Sequence, residues 1–507
     1  MSIINNILSA FHSGRLKQID RFMRCPGDVQ AEQFRYLLNY AKNTAWGKEY
    51  DYASIKSIDD FKERVPVRDY EGFMPYIIRL RQGEKNLLWP GVIKLFAKSS
   101  GTTNSKSKFI PISKESLETC HFRGGRDVLA IYGSLYPDNK LFSGRTLTLG
   151  GSQQINNFSN KSKSYYGDLS ALLIKNIPAW TNHFRTPNRK IALMSEWEQK
   201  INRITETTIK QNVTGLTGVP SWFLVLLRHI LDHTGKKNLL EIWPNMELFI
   251  HGGVSFAPYR SQYNELIPSG NMHYLETYNA SEGFFGIQND PLSSDMLLML
   301  DYGVFMEFMP MSENGKENPK TLTIDEVVTD VDYALIISTN GGLWRYLIGD
   351  TIRFTSTNPH KIIISGRTRH YINAFGEELI VDNAEKALAE ACAQTGAIVK
   401  EYTAAPVYMS SETKGAHQWL IEFEKEPDDL SRFADILDSA LMEQNSDYEA
   451  KRYKSITLDK LILVVARHNL FFDWLKKRNK LGGQNKIPRL SNNRDYMDEL
   501  LKLTMEN

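Results

Sequence analysis

The sequence predicts an α/β protein in which a large N-terminal domain of mixed sheets and helices precedes a smaller α+β C-terminal domain. Three observations carry this. At 507 residues the chain is too long for one ordinary domain and long enough for a large domain plus a small one. From Val92 onward, short apolar runs alternate with helical patterns, as mixed sheets read. After Ile362-Ile363-Ile364, the polar stretch Ser365-Gly366-Arg367-Thr368-Arg369 breaks the pattern and marks a junction, which divides the chain into residues 1–367 and 368–507.

The elements follow in order. The first ninety residues read as helices: Ile3, Ile4, Ile7, Leu8 and Phe11 recur at helical spacing, and Phe34, Leu37, Leu38 and Ala41 form an apolar stripe. Val92–Phe96 and Phe109–Ile112 are strands around a polar loop, and Ser113 caps a helix reaching towards Tyr132. Pro220 and Gly235 bracket a helix over Trp222–His233. Four apolar runs then deliver small or polar loops: Leu248–Ile250 into Gly252-Gly253, Met272–Tyr278 into Asn279–Gly283, Ala334–Ser338 into Asn340–Gly342, and Leu343–Tyr346 into Gly349-Asp350. Strand ends that converge in this way build ligand crevices. Beyond the junction come helices over Val381–Gln394 and Leu430–Met442, a strand at Leu461–Val465 and a helix near Tyr496–Leu503.

Composition narrows the function. Hydrophobic residues make up 42% and charged residues 24%, enough apolar surface for a sizeable core. Sixty-one basic against fifty-nine acidic residues give a formal charge of +2, which provides no electrostatic footprint for nucleic acid or a membrane surface. Cys25, Cys120 and Cys392 are scattered without metal or disulfide spacing, which points to a reducing cytoplasm. Met1–Leu16 lacks the apolar stretch and cleavage site of a signal peptide, and no run approaches the ~20 apolar residues of a membrane span. The eleven histidines show no metal spacing; His121, His183 and His251 read as core or surface residues.

Four segments have chemical merit, each with a plainer reading beside it. Ser99-Ser100-Gly101-Thr102-Thr103, continuing to Lys108, offers a glycine for close backbone approach, hydroxyl donors, and Lys106 and Lys108 as cations for a phosphate; it also reads as a hydrophilic hairpin turn. It is not a Walker loop, which needs a second glycine before Lys-Ser/Thr. Tyr278-Asn279-Ala280-Ser281-Glu282 pairs an aromatic able to stack on a base with a carboxylate of the kind that holds Mg2+; alone, Tyr278 is a core aromatic and Glu282 a surface charge. Asp350, at a strand end after Gly349, has the chemistry to accept both hydroxyls of a ribose, with Arg367 as a second contact; the plainer readings are a turn aspartate and a surface arginine. Gly482-Gly483-Gln484-Asn485-Lys486 puts a lysine on flexible ground before Pro488; the plainer reading is a solvated surface lysine.

In this order the four segments resemble the adenylate-forming superfamily of acyl and aryl ligases. The closer resemblance is to the auxin-responsive acyl-acid amido synthetases of the Gretchen Hagen family and their bacterial relatives. It includes Val65-Pro66, Tyr70-Glu71, Pro75-Tyr76-Ile77, Gly83-Glu84, Leu88-Trp89-Pro90-Gly91 and Gly218-Val219-Pro220-Ser221-Trp222, and runs through nearly the whole chain, more loosely after Gly376. The resemblance implies an adenylate-forming N-terminal domain with a mobile C-terminal domain, and ATP and Mg2+ as cofactors. Its implied nucleotide site is Ser99, Ser100, Gly101, Thr102, Thr103 and Lys108 at the phosphates, Gly253 and Tyr278, Asn279, Ala280 and Ser281 at the adenine, Asp350 at the ribose and Arg367 near the hinge. Glu282 is implied as metal ligand and catalytic carboxylate, and Lys486 as the lysine that meets the α-phosphate. One departure stands out: family loops carry a further glycine around Asn104-Ser105, and this chain has none.

The implied reaction joins a small-molecule carboxylic acid, activated as acyl-adenylate, to an amine, by analogy an amino acid. The alternatives are a ligase of the same superfamily that transfers the acyl group to coenzyme A, and a nucleotide-binding protein without catalysis.

Overall fold

The computed structural model describes residues 3–102, 105–151, 153–156, 164–254, 256, 259–368, 371–410, 413–453, 457–478 and 487–505. Helices open the chain as expected, at Ile3–Arg24, Pro26–Ala41 and, after two shorter ones, Tyr70–Arg81. The side chains of the predicted stripe from Ile3 to Phe11 lie outside the described residues, whereas Phe34, Leu37, Leu38 and Ala41 are buried. Arg15 pins the first helix to the core, donating to Asp127 at 2.8 Å and to Asp301 at 2.7 Å.

Strand β1 (Leu95–Thr102) and strand β2 (Ser105–Ile112) form a hairpin, and β4 (Gln153–Asn156) and β5 (Ser164–Gly167) complete a four-stranded sheet in the order β2-β1-β5-β4. The largest sheet among the described residues has eleven strands and two halves. In the first half β6 (Arg185–Thr186), β3 (Arg145–Thr148), β7 (Val213–Gly218), β8 (Leu248–Gly252) and β9 (His273–Ala280) lie side by side and parallel. In the second half β10 (Gly283–Ile287), β11 (Met296–Leu298), β15 (His360–Arg367), β14 (Tyr346–Thr357), β13 (Asp332–Thr339) and β12 (Val304–Pro310) continue antiparallel.

Parallel strands carry helices on both faces and therefore read as continuous apolar runs. The helix Pro220–Thr234 shows how one is covered: Phe223, Leu224, Leu226, Leu227 and Ile230 are fully buried on a core that includes Phe249 of β8. Each such side chain contributes about 1.5–3 kcal/mol of burial. Pro220 occupies the first turn, where its missing amide has no intrahelical partner to lose, and Gly235 ends the helix in the left-handed conformation, φ 66°.

After β15, β16 (Tyr371–Ile372) and β17 (Leu379–Ile380) frame a turn. A sheet of β18 (Ile398–Val407), β19 (Ala416–Lys425) and β20 (Ile462–Val465) follows. Trp419 and Ile421 face the helices Val381–Thr395 and Leu430–Gln444, while Leu420 on the other face meets Leu470–Lys477 and Asp495–Met505. No helix among the described residues is long and apolar enough to cross a membrane.

Two local expectations are corrected. The first strand starts at Leu95, not Val92. Asp350 does not sit at a strand end: β14 begins at Tyr346 and runs on through Gly349-Asp350 to Thr357, because β15 pairs with it as far as Arg367. The polar residues Ser365–Arg367 therefore belong to a ladder rather than to a break.

Candidate active site

The parallel strands β3, β7, β8 and β9 end on one side of the sheet, where they release the loops Leu149–Gly151, Gly218–Pro220, Gly252-Gly253 and Ser281-Glu282, the edge at which open α/β sheets build a ligand crevice. Close backbone approach selects the glycines: a Cβ on Gly252 would lie 2.3 Å from the Thr277 carbonyl oxygen. Lys200, lowered to about 8 by burial with Asp168 opposing, donates to the Gly150 and Gly151 carbonyls and fixes the first loop. In the antiparallel half, the buried pair of Arg345, just before β14, and Glu307 of β12 is 2.9 Å apart. Arg345 also donates to the Lys62 and Val65 carbonyls at 2.8 and 2.7 Å, anchoring the N-terminal helices to the same point.

Side chains distant in sequence meet at this crevice. The Tyr278 hydroxyl donates to Asp350 Oδ2 at 2.6 Å, and Arg367 Nε donates to Asp350 Oδ1 at 2.8 Å. Burial, then Asp350, holds the Tyr278 hydroxyl far above its ordinary range, so it remains a donor. Burial opposes the Arg367 charge, but Glu378 and Asp350 outweigh it. Arg367 stacks 4.8 Å over the Tyr371 ring and donates to Glu378 Oε1 at 2.9 Å. Ser99 Oγ donates to the other oxygen of Glu378 at 3.4 Å. Lys108 stands opposite Ser99 in the β1–β2 register. Burial pushes Glu282 up to about 7; Lys108 opposes this, and Glu378 and Asp350 add to it.

The sequence-predicted residues fall as follows. Ser99, Ser100, Gly101 and Thr102 lie in β1, so the expected loop is the arm of a hairpin, with Ser99 and Lys108 paired across it; Thr103 lies outside the described residues. Gly253 follows β8 with φ 85°, and its carbonyl accepts from Asn373 at 3.3 Å. Asn279 and Ala280 are not in a loop as expected but in the last positions of β9, paired with Phe284 and Gly283 of β10, and Ser281 and Glu282 make the β9–β10 connection. Asn279 Oδ1 accepts from His121 Nδ1 at 3.1 Å; burial lowers His121 to about 4, so the ring is neutral. Tyr278, Asp350 and Arg367 are brought together as a chain. Lys486 lies outside the described residues; the segment that follows it, Ile487–Leu490, runs beside β18, where Thr403 donates to the Pro488 carbonyl at 2.6 Å.

Sequence reasoning did not single out Asn373, Glu377 or Glu378. Their signal was present as a turn pattern, Asn373-Ala374-Phe375-Gly376 followed by two glutamates. Glu377 accepts from the Ala374 and Phe375 amides at 3.2 and 2.7 Å and meets His417 Nε2 at 2.8 Å, locking the turn to β19. Glu378 then sits at φ 41°, its amide donating to Asn373 Oδ1 at 3.2 Å.

Comparison with known proteins places these features. The GH3 family N-terminal domain matches residues 15–272, the GH3 family central domain 297–367 and the GH3 family C-terminal domain 382–495. The chain is similar to the indole-3-acetic acid-amido synthetase GH3.4 of Arabidopsis thaliana, 23% identical over 94% of this chain and 91% of the relative. In structure it resembles the AtGH3.15 acyl acid amido synthetase in complex with 2,4-DB, with a TM-score of 0.63 at 18% identity over 98% and 96% of the two chains. It also resembles a 2-hydroxyisobutyryl-CoA ligase in its thioesterification state, with a TM-score of 0.55 at 13% identity over 95% and 92%. At these identities the structural likeness shows a shared fold.

Proposed function

The chain belongs to the GH3 family, and from that premise we propose that it is an ATP-dependent ligase that activates a carboxylic acid as acyl-adenylate and transfers it to an amine, an amino acid by analogy with its relatives. The observation that carries this reading is the meeting of the Ser99 hairpin, Glu282 and the Tyr278–Asp350–Arg367 chain in one crevice. Its two units are residues 1–367, for nucleotide and acid, and 368–507, the moving part.

In the first step a carboxylate oxygen attacks the α-phosphorus of ATP and pyrophosphate leaves. Both reactants are anionic, so neutralisation and alignment are what the protein must supply. Ser99, Ser100, Gly101, Thr102, Thr103 and Lys108 serve the phosphates, Gly253 and Tyr278–Ser281 the base, Asp350 the ribose, and Lys486 the α-phosphate. Asp350 suits the role, being already held by Tyr278 and Arg367 with lone pairs to spare. The donor set also fits Mg2+: among the described residues no group of three or more His, Cys, Asp or Glu forms a cage, but Glu282 is a desolvated carboxylate flanked by other carboxylates. One such ligand plus nucleotide phosphates is how Mg2+ binds with most of its waters kept, and there it supplies charge neutralisation. In the second step the amine nitrogen attacks the acyl carbon, a proton leaves the nitrogen, and AMP departs. The helices after Ser113 and over Pro220–Leu231 line the acid. The free thiols Cys25, Cys120 and Cys392 support a cytoplasmic setting.

The test is carboxylate-dependent exchange of pyrophosphate into ATP across aryl, indolyl and aliphatic acids, followed by addition of an amino acid or coenzyme A to the preformed adenylate. Exchange with one acid class and AMP release by the amino acid are expected. Nucleotide binding without exchange would reduce the protein to a binding module, and AMP release by coenzyme A alone would make it an acyl-CoA ligase.

A further inference from the structure

We propose that Glu378 is a positioning residue that competes with nucleotide phosphates for Ser99, so that departure of pyrophosphate is what lets the C-terminal unit settle in its amide-forming orientation. The inference rests on the proposed function and on the phosphate role of the Ser99 hairpin.

Glu378 belongs to the C-terminal unit, yet both its carboxylate oxygens are engaged on the other side of the junction, Oε1 by Arg367 at 2.9 Å and Oε2 by the Ser99 hydroxyl at 3.4 Å. Ser99 is the hydroxyl assigned to phosphate oxygens, and a carboxylate and a phosphate present the same chemistry to it: an anionic acceptor. The two cannot share the donor without bringing like charges together at a half-buried spot where water screens them poorly.

The reach of Glu378 is built in. Its φ of 41° is uncommon for a residue with a Cβ, and its surroundings fix it: the Glu378 amide donates to Asn373, its carbonyl accepts from Asn445 at 3.2 Å, and the preceding Glu377 is clasped by two amides and His417. Asn373 also donates to the Gly253 carbonyl, so one turn touches both the phosphate hairpin and the base-lining loop. A turn so heavily constrained carries its carboxylate as a fixed part of the C-terminal unit. When that unit turns away Glu378 leaves, and when phosphates occupy the hairpin it has no place to return to.

The variant is Glu378→Gln, which keeps the shape and removes the charge. Calorimetric titration of the whole protein with inorganic pyrophosphate should give a dissociation constant lower by about tenfold, and titration with AMP no change. AMP release from preformed acyl-adenylate on adding the amine should slow by about tenfold while pyrophosphate exchange is undiminished. Should glutamine at this left-handed position reduce the yield of folded protein, Glu378→Asn makes the same test, because asparagine tolerates positive φ. Unchanged pyrophosphate affinity, or equal losses in both half-reactions, would overturn the proposal. A wild-type protein that catalyses no exchange while pyrophosphate binding still responds to the substitution would instead sink the proposed activity and leave the competition standing.

Discussion

Glu276 of β9 is the register partner of His251 of β8, and in a parallel pair both side chains stand on the same face of the sheet. Burial drives them in opposite directions along the pH scale: Glu276 is raised to about 7 and His251 lowered to about 3, with Arg260 pulling both down. Both groups are thereby held neutral in the folded state around pH 6, and each disfavours its own charging. For the raised carboxylate, the stabilising contribution is complete below the unfolded value of 4.5 and disappears as pH climbs through about 7, because only the folded state retains the proton across that window. For the lowered imidazole, the contribution is present above 6.5 and disappears as pH falls towards about 3. Glu276→Gln should therefore stabilise the protein at pH 8 by as much as about 3 kcal/mol and do almost nothing at pH 4. Urea unfolding at the two pH values checks this; equal effects at both would show that Glu276 is not held neutral. Residues of this kind were only half legible. Tyr278, Asp350 and Arg367 could be picked out because each sat in a recognisable segment, whereas Glu378 could not, since its partner Ser99 is 279 positions away and nothing local announces the pair.

Elements with local punctuation were the readable ones. Ser113 does cap the following helix, its hydroxyl accepting from the Ser116 amide at 2.9 Å, and Pro220 and Gly235 do bound theirs, because caps and left-handed termini are decided within a few residues. Strand β14 was misread since a polar stretch joins a ladder only when a neighbour pairs with it, and β15 supplies that neighbour through Asp350 and Arg367. The same distinction separates two glycine substitutions. Gly235→Ala meets open space and pays only for its positive φ, so it should cost about 1 kcal/mol and leave activity alone. Gly252→Ala drives a methyl into the Thr277 backbone oxygen, which cannot move without shifting the end of β9 that carries Tyr278. A loss of about 1–3 kcal/mol and a KM for ATP raised roughly tenfold are expected. Thermal unfolding together with exchange kinetics would decide, and a Gly252→Ala enzyme with an unaltered KM would separate this loop from the nucleotide.

At the scale of the molecule, no sequence pattern could say which face of the small unit meets the large one, because that is a rigid-body relation between surfaces rather than a property of either. The described structure docks the Asn373–Glu378 turn on the crevice: Tyr259 donates to the Ala374 carbonyl at 2.6 Å and Trp222 to the Phe375 carbonyl at 3.2 Å. The residues that follow Lys486 are held beside that turn. Thr403 donates to the Pro488 carbonyl and Ser491 donates to the Ala404 carbonyl at 3.0 Å, so this segment runs beside β18, and its Asn492 Oδ1 accepts from the Asn373 amide at 2.6 Å. Under the proposed mechanism the C-terminal residues serve both half-reactions, which requires them to turn between the two steps. Lys486→Ala should then slow pyrophosphate exchange by roughly 10²–10³, the scale for losing one preorganised charged donor, while amide formation from preformed acyl-adenylate keeps its wild-type rate. Its melting temperature should stay put, since the charge removed is proposed to act only on bound nucleotide. The pairing with Glu378→Gln matters, because one variant should cripple the first half-reaction and the other the second. If Lys486→Ala slowed both steps alike, the lysine would belong to a single fixed site, and the need for the C-terminal unit to turn would fall with it.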